Sequence, residues 1–529
     1  MPVMSMSMGK APAGINPPVK MLNPAADPRK MRRIIAEDPE WSLAVVPSLK
    51  NLCLQHIVNH FEEKPILNEL LPSQKAFVLE KLPTFLPLSL TANLISDEGY
   101  WRRCCEDRWG KRDVSEYDHS WKRMFFEHHL ENIIELFIPD QTEPKSVLDV
   151  VPLCQNYVRR LKITQLLPPI RKPPKFNEDD ASESASDLGD DGPSIDHFDF
   201  RILLNKLTNL EELQLVYGVR GCGMNFEWNL FEFTFSDCQF LAKALQSCTT
   251  LKILKINQSN VDDDKCRTLV SNLLDHPSLL ELDLSHNIIG DRGARALGKL
   301  LNRSHLKQLD IYDNNIKGPG AQALAHALSK NTPLESLNLR LNQIGDEGGQ
   351  ALAQALLKNC ILLNLHLGAN ELTEPTATAL SHMLVHNSTL KRLNLSCNRL
   401  GEDGGKAMEE GMSHNSSLLE CDIRLTGVRL ETGAAAGLLA VVVAVAVAVV
   451  VAGAADAGDM SVRAGGHASS TELARGDGQR SSSSTSSPPL TDTQKNSSEN
   501  AAMCFQSRTA ARAACVNAIL QQHLILLQD

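Results

Sequence analysis

Apolar positions between Leu251 and Val428 recur in a single pattern. LLELDLSHNII, LKQLDIYDNNI, LESLNLRLNQI, LLNLHLGANEL and LKRLNLSCNRL start at Leu279, Leu306, Leu334, Leu362 and Leu390. Looser copies start at Leu251 (LKILKINQSNV) and Leu418 (LLECDIRLTGV), so successive starts lie 28, 27, 28, 28, 28 and 28 residues apart. Leucines alternate through the middle of each segment, which predicts a short strand with one face inward; in Leu306–Ile316 the inward pair is Leu309 and Ile311. A Gly-acid-x-Gly turn follows, as in GDRGARALGKLL from Gly290 and GDEGGQALAQAL from Gly345. Ala294, Leu297 and Leu301 then fall at helical spacing, so each strand feeds a helix. Asn287, Asn314, Asn342, Asn370 and Asn398 sit where the chain leaves the strand. Their amides are expected to satisfy backbone groups inside the turn and to stack as a ladder.

This pattern resembles the leucine-rich repeat, L-x-x-L-x-L-x-x-N-x-L. The predicted fold class is α/β, a solenoid of 28-residue, ribonuclease-inhibitor-like units preceded by a small α-helical domain. No unit can bury its apolar face alone, so neighbours stack and share one core. Two earlier segments extend the array. Leu210–Leu215 (LEELQL) precedes the next strand by 41 residues, with a Gly-rich and aromatic insertion at Val216–Phe235; Val158–Ile163 (VRRLKI) lies 52 residues further back. The surplus in that second interval matches an acidic, Ser-rich stretch at 177–199 holding nine Asp and Glu, expected to be disordered. The solenoid is assigned to 146–428.

Residues 1–33 form a basic tail in which Arg29, Lys30, Arg32 and Arg33 cluster. Residues 34–145 are predicted to be helical, with helical apolar spacing in Val45–Phe61 and Phe125–Phe137 and breaks at Pro65, Pro72 and Pro83. Trp41, Trp101, Trp109 and Trp121 all fall in this region, giving it an aromatic core or a docking face. Its stretch LEKLPTFLPLSLTANLISDEGYWRRCCEDRW resembles an F-box, which makes a substrate adaptor for ubiquitin ligation the alternative function.

Chemistry-bearing motifs are missing. Gly404-Gly405-Lys406 lacks the rest of a phosphate-binding loop, and Gly218-Val219-Arg220-Gly221-Cys222-Gly223 has its glycines in the wrong order for a dinucleotide site. His129-Leu130-Glu131 is not followed by the P-C-x-x-C of a zinc deaminase. Thirteen cysteines, none spaced C-x-x-C, suggest neither a zinc site nor a disulfide framework, and Cys104 and Cys105 are expected to be ordinary buried thiols. The chain is therefore expected to be a non-enzyme without cofactor, metal or small-molecule substrate. A net charge of −10 and a pI near 5.9 disfavour nucleic-acid binding. The N-terminus lacks an apolar secretory segment, so the cytoplasm is the expected location.

Function is expected on the polar strand face. Its outward positions include Glu281, Asp283, Ser285, Gln308, Asp310, Tyr312, Asn338, Arg340, Asn364, His366, Arg392, Asn394 and Ser396. The candidate partner-binding set is Glu281, Asp283 and Asp310 as an acidic centre, flanked by Arg340, His366 and Arg392, with Tyr312. Tyr312 and Arg340 are the favoured anchors, because Tyr and Arg are enriched among interface hot spots.

The order of parts is more specific than the repeats. MRRIIAEDPEWSLAVVPSLKNLCLQHIVNHF, then GYWRRCCEDRWGKRDVSEYDHSWKRMFFEHHLENII, the acidic insertion and the 28-residue units together resemble the dynein regulatory complex subunit 5 family, over roughly residues 30–425. The resemblance implies a scaffold of the nexin–dynein regulatory complex in the axoneme of motile cilia and sperm flagella. Its partners would be other subunits of that complex and axonemal proteins. Residues 429–529 depart from the family as a low-complexity tail expected to be disordered. Within it 432–455 is uncharged and nearly all Ala and Val. Its length admits a membrane span, but its composition fits translation of a simple nucleotide repeat better, so a membrane is not among the expected partners.

Overall fold

The computed structural model describes residues 48–169, 196–222, 228–330 and 332–428. The basic tail, Trp41, most of the acidic insertion and the Ala/Val run lie outside the described residues. Among the described residues no helix is long and apolar enough to cross a membrane. The chain divides into two compact units, at His128/His129.

The first unit holds α1 (Leu49–Asn59), α2 (Pro72–Lys81), α3 (Leu88–Leu94), α4 (Glu98–Trp109) and the start of α5 (Trp121–Glu135). Of the expected breaks, Pro72 opens α2 as its first residue, where a missing N–H costs nothing. Trp101 is fully buried, donates from Nε1 to the Ile95 carbonyl at 3.0 Å, and packs on Phe125 and Phe126. Helix ends are closed by side chains from other helices. Lys122 Nζ donates to the carbonyls of Ala92 and Ile95 at the end of α3 (2.7 and 2.9 Å), and Glu98 accepts from the Trp121 N–H at the start of α5 (2.6 Å). His128 is half-buried, its ring tilted against those of Trp109 and Tyr117.

The second unit is the solenoid. After α6 (Lys145–Leu148) and α7 (Val151–Cys154) come β1 (Arg160–Ile163), α8 (Arg201–Leu204) and β2 (Glu212–Leu215). Strands and helices then alternate as α9 (Phe235–Ser247), β3 (Ile253–Ile256), α10 (Asp263–Leu273), β4 (Glu281–Asp283), α11 (Asp291–Leu301), β5 (Gln308–Asp310) and α12 (Gly318–Leu328). They continue through β6 (Ser336–Asn338), α13 (Gly345–Leu356), β7 (Asn364–His366), α14 (Glu374–His386), β8 (Arg392–Asn394), α15 (Gly401–Ser413) and β9 (Glu420–Asp422). Among the described residues, nine strands form one parallel sheet in sequence order. Leu213, Leu254, Leu282, Leu309, Leu337, Leu365 and Leu393 are register partners in one buried row. Helices are about 10 Å wide and strands stack about 4.8 Å apart, so a helix-backed array curves and leaves the strand face concave.

The expected asparagine ladder is present, and each amide reaches back one unit. Asn342 Oδ1 accepts from the Ile316 N–H (3.0 Å), while its Nδ2 donates to the carbonyls of Ile311 and Leu339 (both 3.0 Å). Asn314 and Asn398 repeat the arrangement. The residue before each ladder asparagine is left-handed, and so are those before Ser259 and Thr426 at the equivalent places: Gln258, His286, Asp313, Leu341, Ala369, Cys397 and Leu425 have φ between 49 and 59°. Tertiary contacts therefore impose on seven ordinary side chains a conformation that only glycine adopts freely.

The Gly-acid-x-Gly turn couples units in the opposite direction. Asp263 Oδ1 accepts from the N–H groups of Gly290 and Gly293, both at 2.8 Å, and Asp291 Oδ1 from those of Lys317 and Gly320 at 2.8 and 2.9 Å. Each acid thus caps the helix of the next unit. A Cβ on Gly293 would stand 2.8 Å from Asp263 Oδ1, and one on Gly320 2.6 Å from Asp291 Oδ1. At these two positions glycine leaves room for the preceding carboxylate, whereas a Cβ on Gly348 would meet Ile344 and Ala321 instead.

The compact unit that holds the solenoid also takes in the chain from His129, and the second half of α5 closes the open edge of β1. Glu131 accepts from the Lys162 N–H and Glu135 from the Thr164 N–H, both at 2.7 Å, satisfying donors that an edge strand leaves bare. The described chain also resumes at Asp196, inside the span assigned to the acidic insertion. His197 is buried there, with Nδ1 2.8 Å from Asp237 Oδ2, and Phe198 packs on Phe137.

Candidate partner-binding face

The strand face presents columns of side chains one unit apart. One runs Glu212, Ile253, Glu281, Gln308, Ser336, Asn364, Arg392, Glu420; the next runs Gln214, Lys255, Asp283, Asp310, Asn338, His366, Asn394, Asp422. Much of the second column shapes the backbone. Asp283, Asp310, Asn338, Asn394 and Asp422 each accept, through Oδ1, the N–H two residues on, at 2.9 to 3.2 Å. Such turns close a strand end. They tuck Ser285 and Ser396 to 6% and 7% exposure, so these two are not the outward residues that alternation predicts.

The seven candidate residues do not act as one group. Glu281 belongs to a triad, since Lys255 Nζ lies 3.4 Å from both Glu281 and Glu212. Burial pulls the Lys255 ammonium down, but these carboxylates outweigh it and its pKa is raised. The acidic centre therefore shrinks to Asp283 and Asp310, which are register neighbours. Burial raises the Asp310 pKa, the Tyr312 N–H opposes this, and the Asp283 charge adds to it; Asn338 Nδ2 donates to Oδ2 at 3.0 Å. His366 is pushed below the usual imidazole range, first by burial, with Arg340 and Arg392 adding to the effect and Glu420 opposing it. Arg392 is exposed and turned elsewhere, to Asn364 and Glu420, each at 3.2 Å.

Tyr312 and Arg340 do come together. The Arg340 guanidinium carbon lies 5.8 Å from the centre of the Tyr312 ring, and the His286 ring meets Tyr312 edge-on at 4.7 Å. His286 Nδ1 is in turn 2.7 Å from Asp313 Oδ2. A half-buried tyrosine braced on both sides is a pre-organised anchor, which lowers the ordering cost of binding. His286 and Asp313 escaped the sequence reading because they follow the strands, at the left-handed position, where alternation no longer says which way a side chain faces. A visible signal was their adjacency to the ladder asparagines.

Among the described residues no group of three or more His, Cys, Asp and Glu could hold a metal. Burial pushes the Cys104 thiol up to about 11 and Cys105, Cys154, Cys238 and Cys421 to about 12, so these sulfurs stay protonated and weakly nucleophilic at neutral pH.

Comparison with known proteins follows the same lines. The family described as Leucine Rich repeat matches residues 275–298, 303–325, 330–353 and 386–408. A Mus musculus protein named Dynein regulatory complex subunit 5 is 57% identical over 268 residues, covering 51% of this chain and 54% of that protein. The Macaca fascicularis protein of that name is 56% identical over 315 residues, covering 60% and 63%. The Chlamydomonas reinhardtii protein of the same name is 35% identical over 224 residues, covering 42% and 50%. The chain thus spans between half and two thirds of the length of these relatives, and the resemblance drawn from its order of parts holds.

Proposed function

We propose that this chain is a dynein regulatory complex subunit, a non-catalytic scaffold that holds neighbouring axonemal proteins in motile cilia and flagella and so helps regulate their beating. Similarity at 56–57% identity to proteins carrying that name is the observation that supports it. The fold fits such a role, because a solenoid offers a long continuous binding face. Contact with another subunit of the complex would centre on Tyr312 and Arg340, with Asp283 and Asp310 recognising basic groups beside them. None of the relatives named above supports the ubiquitin-ligase adaptor reading.

Fractionation of multiciliated cells tests both levels. The protein is expected to stay with the detergent-insoluble axoneme, and Tyr312→Ala/Arg340→Ala to be released, since loss of a hot-spot pair costs about thirtyfold or more in affinity. Wild-type protein in the detergent-soluble fraction would overturn the scaffold reading. A double variant retained as well as wild type would move the contact off the concave face.

A further inference from the structure

We propose that the outer groove between α10 and α11 docks an acidic, amphipathic segment of a partner protein. The groove encloses about 680 Å³ and is bordered by Phe235, Arg267, Thr268, Leu274 and Lys299. Arg292 and Arg295 line an adjoining hollow of about 340 Å³. Asp264 Oδ1 takes both Arg267 (3.0 Å) and Arg292 (2.9 Å), whereas Arg295 and Lys299 make no ion pair among the described residues. Nearby carboxylates are otherwise engaged: Asp262 with Lys265, Asp263 with the N–H groups of α11, and Asp275 with Arg303. Four cations therefore face the groove against one shared carboxylate.

Three of the four lie on α11, and the fourth, Arg267, on α10. The places of Arg292, Arg295 and Lys299 are taken in α12 by Pro319, Gln322 and His326, and in α13 by Glu347, Gln350 and Gln354. In α14 they are Pro375, Thr378 and His382, and in α15 Asp403, Lys406 and Glu410. Like charges three and four residues apart destabilise a helix, so a face that only needed solvation would not concentrate them. Phe235, 49% exposed at the start of α9, gives the basic rim an apolar edge. An anionic partner with an apolar side chain matches both features. Nucleic acid matches the first alone, and the net charge of −10 opposes it.

The test is fluorescence anisotropy on the full chain with a labelled probe peptide of roughly twelve residues, Glu-rich with Leu at i and i+4 spacing, long enough to follow α10. At about 150 mM salt we expect saturable binding. Arg295→Glu/Lys299→Glu and, separately, Phe235→Ala should each weaken it about tenfold, or roughly 1.4 kcal/mol. Exposed Lys358→Glu should leave it unchanged, as should Tyr312→Ala/Arg340→Ala, which separates this groove from the concave face. An unaltered thermal midpoint would show that the exposed substitutions leave the fold intact. The proposal is overturned by absent saturation, by equal loss in Lys358→Glu, or by indifference to Phe235→Ala. Displacement of the probe by single-stranded DNA at equal or lower concentration would reassign the groove to nucleic acid. Self-association abolished by the charge reversal would reassign it to a second copy. Tighter probe binding after deletion of 178–195 would reassign it to the chain's own acidic segment.

Discussion

Asn342 is 5% exposed and its amide holds three backbone groups from two adjacent units. Alanine would leave one buried N–H and two buried carbonyls without their partner, so Asn342→Ala should cost on the order of 3 kcal/mol, read as a shift in the denaturant midpoint. Asn364→Ala, on the concave face, should stay within about 0.5 kcal/mol. Asp310 makes the complementary case, a polar residue whose charge opposes folding. Its folded-state pKa is raised by burial, against the Tyr312 N–H and with the Asp283 charge. Its favourable contribution is therefore complete only below the unfolded carboxylate pKa and is lost as pH climbs through the folded value. Asp310→Asn should raise the denaturation midpoint at neutral pH, and the difference from wild type should vanish on titrating below the usual carboxylate range.

Between elements the decisive groups are the acids of the Gly-acid-x-Gly turn. Asp291→Ala should destabilise by about 1 kcal/mol, the usual worth of a helix cap, and hydrogen exchange should quicken at the Lys317 and Gly320 amides rather than within α11 itself. The strands, the helices and the asparagine ladder were legible in the sequence, because period two, period 3.6 and a fixed asparagine are local signals. The destination of each acid was not, since its partners lie 26 to 30 residues away. A second asparagine row was missed for the same reason: Asn387 and Asn415 donate to the carbonyls of Leu356 and Leu384, 31 residues back. At the candidate face, sequence placed Tyr312 and Arg340 among the strand-face residues but could not show that Lys255 pairs with Glu281. Ion pairing depends on register between units, not on any one unit.

At the scale of the whole molecule, the second half of α5 lies in the same compact unit as the solenoid, whose start the sequence reading places at 146. Apolar periodicity marks helices without revealing that Glu131 and Glu135 close the β1 edge. A fragment spanning 129–428 should therefore stay monodisperse, whereas 146–428, with the Lys162 and Thr164 donors uncovered, should associate through that edge; size exclusion with light scattering distinguishes them.

The two inter-unit rows run in opposite senses, ladder amides backward and turn carboxylates forward. Where the acid is present, at Asp263, Asp291 and Asp346, losing a unit from the amino-terminal side removes a carboxylate from the helix that remains, and losing one from the carboxy-terminal side removes an amide from the turn that remains. The junction between α12 and α13, where Gly318 stands at the acid position, keeps the backward amide of Asn342 without a forward carboxylate, and is where the array is expected to open first under load.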